Sequence, residues 1–306
     1  NGAEAYLLGE ENKGLKHMLD MVNLSRLSHG VRASAMMRRC LNETMSVARN
    51  RYTFGEKLIN HPLMRRQIMK TMLPTEQALS SFMFTAAVME KADAGDEEAA
   101  RALRIITPMI KGRMCRDNVK VATAAMEARG GNGYIEEWVN ARLVRDAHLG
   151  VVWEGTSSIV ALDVTKRAIP KVQAHEALGS QLQQAIEEAD DVPGQYRGEL
   201  SAMVDQAVRF ADQVAAKPEH ESFSRQASNA LYHVMSAVLL AREGTMMGEE
   251  SGDASRLLLS RLVMDHRLRP HDPMSLDDAM TESVAAELLL DVESPDLERA
   301  RAAIAA

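Results

Sequence analysis

Apolar positions recur every three and four residues over most of this chain, the period of a helix with one buried face. From Leu15 to about Arg51 the pattern runs through Leu15, Met18, Leu19, Val22, Val31, Met36, Leu41 and Met45. At 1.5 Å per residue it predicts one helix roughly 50 Å long. A second pattern extends from His61 to about Ala94 with an expected break at Pro74, and a third from Asp96 to Ala128. A fourth begins near Thr156 and reaches Ile169, where Pro170 is expected to stop it. Long helices with short joins predict an all-α fold built on a long antiparallel four-helix bundle. Beyond residue 170 the same period returns at about 172–190, 194–216, 222–248, 253–264, 276–291 and 295–305. Loops fall at DDVPG, AAKPEH, GEESGD, RPHDP and VESPD. The expected division is residues 1–14 as an entry segment, 15–170 as the bundle, and 171–306 as a second helical tail domain.

Composition supports this reading. Only 4% of the 306 residues are aromatic and nine are Pro, against 46% hydrophobic residues, so helices with a sizeable core are favoured over sheet. No apolar run approaches the length of a membrane span. Cys40 and Cys115 lie inside helical patterns with no zinc spacing, so no metal site is expected, and a reducing cytoplasm is the expected compartment. Charge is uneven. Residues 1–170 hold 24 Lys and Arg against 19 Asp and Glu, whereas residues 171–306 hold 12 against 24, within a net charge of −7. The basic first part suits phosphate-bearing ligands, and the acidic tail speaks against nucleic acid as a partner.

The candidate chemistry gathers in residues 130–167, GGNGYIEEWVNARLVRDAHLGVVWEGTSSIVALDVTKR. Glu154 stands between Val151, Val152 and Trp153 on one side and Gly155, Thr156 and Ser157 on the other. A carboxylate so flanked is expected to be poorly hydrated, which raises its pKa and suits it to proton abstraction. The other reading of the same residue is a carboxylate complementing the positive end of the next helix. GGNG reads equally as a helix C-cap and turn. Gly9 and Gly14 are spaced like a phosphate-binding loop, but Leu15 stands where its Lys is required.

GGNGY followed by RLVRDAHLGVVWEGTSSI resembles the C-terminal signature of the acyl-CoA dehydrogenase family. ARNRYTFGEKLINHPLMR (48–65) is similar to the family's flavin-contacting helix end, and LLGEENKGL (7–15) to the passage from its middle β-domain to its helical domain. The resemblance implies FAD-dependent α,β-dehydrogenation of an acyl-CoA thioester, with Glu154 taking the α-proton while hydride leaves the β-carbon for flavin N5. It implies that the Glu154 N–H shares the thioester oxygen. It assigns Arg51, Thr53, Phe54, Glu127, Gly130, Gly131, Thr156 and Ser158 to the cofactor, and Asn23, Arg26, Trp153 and Gly155 to the acyl-CoA channel. Some relatives place the base on the first helix of this domain, at the position of Ser25, which cannot serve. Trp153 replaces a common Tyr beside the acyl pocket, Pro62 and Glu127 replace common Gln residues, and Arg145 and Asp146 are expected to pair with each other. The implied partners are an electron-transferring flavoprotein and a second copy of the chain, as a homodimer or homotetramer. Residues 1–14 are expected to be the end of a middle β-domain whose remainder precedes them. The alternative is a non-dehydrogenase flavoprotein of the family's alkylation-response type, towards which Trp153, Glu127 and the LDV of 162–164 lean.

Overall fold

The computed structural model describes residues 2–270, 272 and 274–305. The predicted RPHDP loop therefore lies partly outside the described residues, at His271 and Pro273. The protein is 80% helical, in agreement with the all-α expectation. Three long helices form the frame: α1 (Gly14–Asn50), α2 (Pro62–Asp93) and α3 (Glu97–Arg129). Helix α3 lies centrally, packed on both α1 and α2. Its buried positions Ile105, Ile106, Met109, Ile110, Met114, Val121, Ala122 and Ala125 keep the three-and-four spacing that the sequence shows. Asp96 caps its start by accepting from the Glu98 and Ala99 N–H groups, both at 3.0 Å.

Between α1 and α2 the chain makes a two-residue ribbon, β1 (Tyr52–Thr53) against β2 (Glu56–Lys57). Phe54 and Gly55 turn it, both with positive φ, as a tight hairpin requires. After α3 come a 3-10 turn at Gly130–Gly133, α4 (Val139–Gly150) and α5 (Ser157–Asp163), which continues through a π-helical turn, Val164–Ala168, into α6 (Ile169–Val172). Helix α4 was not among the predicted elements. Its buried face, Asn140, Leu143, Ala147 and Gly150, is short and partly polar, so the apolar period alone conceals it.

Two prolines behave differently from expectation. Pro74 is buried inside an unbroken α2, where tertiary packing on both sides outweighs the lost backbone bond. Pro170 does not end its helix. The π-helical turn just before it shifts the ladder, and the run stops at Gln173, which takes a left-handed conformation.

The remaining chain adds α7 (Ala174–Glu187), α8 (Gly194–Ala216), α9 (Ser224–Ser251), α10 (Ser255–Val263), α11 (Asp277–Leu290) and α12 (Leu297–Ala305), close to the predicted ranges. Helix α9 is buried on nearly every side from Leu231 to Ala241, because it packs on α8 and α10 and also on α2, α3 and α5. The apolar core consequently runs without a gap from Leu27 to Ile304. Residues 2–13 form no strand, and Tyr6, Leu7 and Leu8 among them are exposed.

Candidate active site

Glu154 sits in the turn between α4 and α5, where the backbone is forced round by two successive positive φ values, 53° at Glu154 and 92° at Gly155. A left-handed conformation costs a residue with a Cβ about 1 kcal/mol, so the surrounding structure must hold it there. Two long-range bonds do so. Ser25 on α1 donates its hydroxyl to Glu154 Oε1 at 3.2 Å, and Lys111 on α3 donates its ammonium to the Gly155 carbonyl. The carboxylate is half-buried and pointed at α1, not at the N-terminus of α5. Thr156 occupies that cap position and makes no side-chain cap bond. The Glu154 N–H donates to no acceptor among the described residues.

The periodic pattern hides Lys111, because it reads there as one more surface cation. It is 1% exposed, and burial is the largest influence lowering its pKa. His29 on α1 lies edge-on to the Trp153 ring at 6.0 Å, and its pKa is also lowered, first by burial and then by Lys111. An enclosed ammonium and an imidazole that burial and Lys111 hold towards its neutral form thus lie beside the Glu154 carboxylate. On the open side Val152, Trp153 and Ile159 are exposed, giving the carboxylate an apolar rim.

The other expected channel residues separate. Arg26 is turned into a buried pair with Asp163 on α5, at 2.6 Å, and Asp163 also takes 2.7 Å and 3.3 Å bonds from Arg104. Burial pushes the Asp163 carboxyl up, but the hydrogen bonds from Arg104 and Arg26 outweigh it and leave the group below the usual range. Asn23, three residues earlier, accepts a 3.5 Å bond from Thr107. Arg145 makes a two-bond fork with Glu136 at 2.7 and 3.0 Å, and Asp146 lies 3.5 Å from Arg142, so the expected Arg145–Asp146 pair is not formed. Adjacent residues on a helix point in different directions, which is why neither can reach the other.

The expected cofactor residues form a second group at the far end of α1. Arg51 donates to the Arg129 carbonyl at 2.9 Å, directly beside the glycine turn. Gly130 caps α3 with φ 75°, and a Cβ there would stand 3.5 Å from Arg51 Nη1. The cap reading of GGNG therefore holds, and the same turn leaves Gly131 with open space above its backbone. Arg129, not singled out by any motif, is the hub: it bonds Asn140 Oδ1 at 2.7 Å, pairs with Glu43 and lies 4.5 Å from the Trp138 ring centroid. Thr53 shares a 3.2 Å bond with His61, and Phe54 projects from the hairpin tip fully exposed. Glu127, Thr156 and Ser158 are exposed as well, with Gln67 within 3.5 Å of Glu127. A guanidinium held against a turn without side chains is a fitting cradle for a diphosphate, so the residues present suit a flavin dinucleotide.

The fold, the glycine turn and the Glu154 corner converge with comparisons to known proteins. Residues 12–169 match the family model of the acyl-CoA dehydrogenase C-terminal domain, and the chain belongs to the acyl-CoA dehydrogenase family. It is 32% identical over 231 residues to AidB of Escherichia coli, covering 75% of this chain and 40% of that protein. With the 3-methylmercaptopropionyl-CoA dehydrogenase of Ruegeria pomeroyi it shares 31% over 182 residues, 55% of this chain and 31% of the relative. Among solved structures, ACDH-11 of Caenorhabditis elegans in complex with C11-CoA superposes with a TM-score of 0.77 at 21% identity, over 85% of this chain and 45% of that one. The chain spans less than half the length of each of these relatives.

Proposed function

We propose that this chain carries the catalytic base and part of the flavin site of an FAD-dependent acyl-CoA dehydrogenase. The observation that carries the reading is the Glu154 corner, a half-buried carboxylate held in a left-handed turn by Ser25 and, through Gly155, by buried Lys111. Relatives with a base on the first helix would bear it where Ser25 stands. Here that position donates a hydrogen bond to the carboxylate, so Glu154 alone of the two can take a proton. Bound flavin would supply the hydride acceptor, which no protein side chain can provide.

The chain's own residues do the rest. Glu154 removes the proton α to the thioester carbonyl, and its free N–H donates to the oxygen on which negative charge then develops. Trp153 and Gly155 border the acyl group, with Asn23 and Arg26 on α1 behind them, Arg26 acting through its pair with Asp163. Arg51, Thr53, Phe54, Glu127, Gly130, Gly131, Thr156 and Ser158 form the cofactor surface. FAD, an acyl-CoA, an electron-transferring flavoprotein and further copies of the chain are the ligands and partners of this reading.

A second reading, a non-dehydrogenase flavoprotein of the alkylation-response type, is supported by the 32% identity to AidB, a match that continues beyond the family domain into the tail. Anaerobic bleaching of the FAD-loaded protein by a panel of acyl-CoAs separates them. Dehydrogenation predicts bleaching by at least one acyl-CoA and a loss of roughly a thousandfold or more in rate for Glu154→Gln, since both the base and its charge are removed. Flavin binding without bleaching by any acyl-CoA supports the second reading instead.

A further inference from the structure

A cleft of about 690 Å³ opens between α3, α8, α9 and the π-helical turn Met264–Leu268 that follows α10. It shares no lining residue with the Glu154 corner or the glycine turn. Its walls carry Arg113, Lys120, Arg209 and Arg267, and not one of its lining residues is an Asp or Glu. Lys120, Arg209 and Arg267 form no ion pair or hydrogen bond among the described residues. Arg113 does, through two bonds at 2.8 and 2.7 Å to buried Asp117. Three unpaired cations thus share one concavity in a chain whose net charge is −7.

Burial lowers the Lys120 pKa, and Arg113, Arg267 and Arg116 lower it further while Asp117 opposes them. Excess like charge in a concave site is offset when an anion enters it, and Lys120, Arg209 and Arg267 are all exposed to meet one. Neutral donors are present too. His233 on α9 accepts from Gln77 at 3.1 Å through Nδ1, which leaves Nε2–H as a donor on a ring that lines the cleft. Burial and the Arg113, Arg267 and Lys120 charges keep that ring neutral. Asn229 and Gln226, one and two helical turns earlier on the same helix, supply amides, and Phe210 an apolar wall.

We propose that this cleft binds a small polyphosphate anion, a molecule carrying two or more linked phosphates, at a site separate from the proposed flavin and acyl-CoA surface. Several cations around a space of ligand size suit linked phosphates better than a single one, because each guanidinium can fork onto a different phosphate group. A long polyanion is disfavoured, since the tail that forms three of the four walls of the cleft has twice as many acidic as basic residues.

Calorimetric titration with sodium triphosphate, ADP and ATP tests this without flavin or acyl-CoA, so its failure leaves the proposed function standing. A single saturable site is expected, weakened roughly tenfold or more in Lys120→Gln/Arg267→Gln, whose side chains make no hydrogen bond or ion pair among the described residues. Arg51→Gln, at the glycine turn, and Lys171→Gln, outside the cleft, should bind as the parent does. Tighter binding of ATP than of triphosphate identifies a nucleotide as the ligand, and equal binding identifies the phosphate chain itself. Non-saturable binding, binding unchanged in the double variant, loss in Arg51→Gln, or stronger binding of a short DNA duplex through the same cations would each overturn the proposal. Circular dichroism of the double variant, expected to match the parent, shows that any loss is local.

Discussion

Arg26, placed in the acyl-CoA channel by resemblance, takes its role from its surroundings, the buried carboxylate of Asp163. The carboxylate holds Arg26 and Arg104, and so ties α1 and α3 to the helix that follows Glu154. Removing one partner of a buried pair leaves charge uncompensated, at a cost of about 3–5 kcal/mol. Asp163→Asn should therefore lower stability by that order at neutral pH. The sign of the pH dependence follows from the depressed carboxyl pKa in the fold. Its contribution is fully present above the unfolded value of about 3.9 and disappears as pH falls through the lower folded value. Urea unfolding of both proteins at several pH values should show a constant difference down to about pH 5 that narrows below pH 4. A difference as large in strong acid as at neutrality would mean that the pair is not the source. The two thiols are a simpler case. Burial, with Glu43 nearby, pushes the Cys40 thiol up to about 12, and burial raises Cys115 too. Iodoacetamide should label neither in the native protein and both after unfolding.

At the scale of elements, the approach of α10 to α9 depends on a missing side chain. A Cβ on Gly244 would lie 2.3 Å from the Leu257 backbone nitrogen and 2.8 Å from its Cα, atoms that cannot swing aside. Gly244→Ala should force α10 outward and lower stability by about 1–3 kcal/mol. Gly198, inside α8, is the control: a Cβ there meets nothing within 4 Å, so Gly198→Ala should raise stability by about 0.5–1 kcal/mol. Thermal unfolding of the two variants should move in opposite directions, and a harmless Gly244→Ala would disprove the close approach. Nothing in the sequence separates these glycines, since each sits in a helical pattern and only the neighbouring helix differs. The same limit explains α4, whose polar inner face needs Arg129 to satisfy Asn140, and Pro74, tolerated because other helices hold α2 straight.

For the molecule as a whole, the family model ends at residue 169 while the packed core continues beyond it. We propose that the division at 170 marks the end of the shared family domain and not a boundary between independently folding units. Gln77 on α2 donates to His233 and Ser236 of α9, at 3.1 and 2.7 Å. Arg256 of α10 joins Glu76 and Ser80 of α2 to Glu243 of α9. A chain ending at residue 170 would expose these polar groups together with the apolar faces of α2, α3 and α5. It should lose cooperative unfolding or aggregate, which circular dichroism and light scattering would show. A soluble fragment that melts sharply would establish the bundle as a self-sufficient domain.

Local information was enough for the helices, because a buried stripe imposes its period on the residues that form it, in the tail as well as in the bundle. It was enough for the family too, through GGNG, the segment around Arg51 and the Glu154 corner, where short contiguous runs carry the chemistry. The partners of these residues lie far away in the chain: Ser25 is 129 positions from Glu154, and Lys111 is 44 from Gly155. Arg129 gathers Glu43 from α1, Arg51 from the residue that caps it, and Asn140 from α4. Such contacts have no period and no motif, because they depend on which helix faces meet. Tertiary structure alone therefore decided that Lys111 is enclosed, that Arg26 is paired with Asp163, and that unpaired cations from the basic bundle and the acidic tail line one cleft.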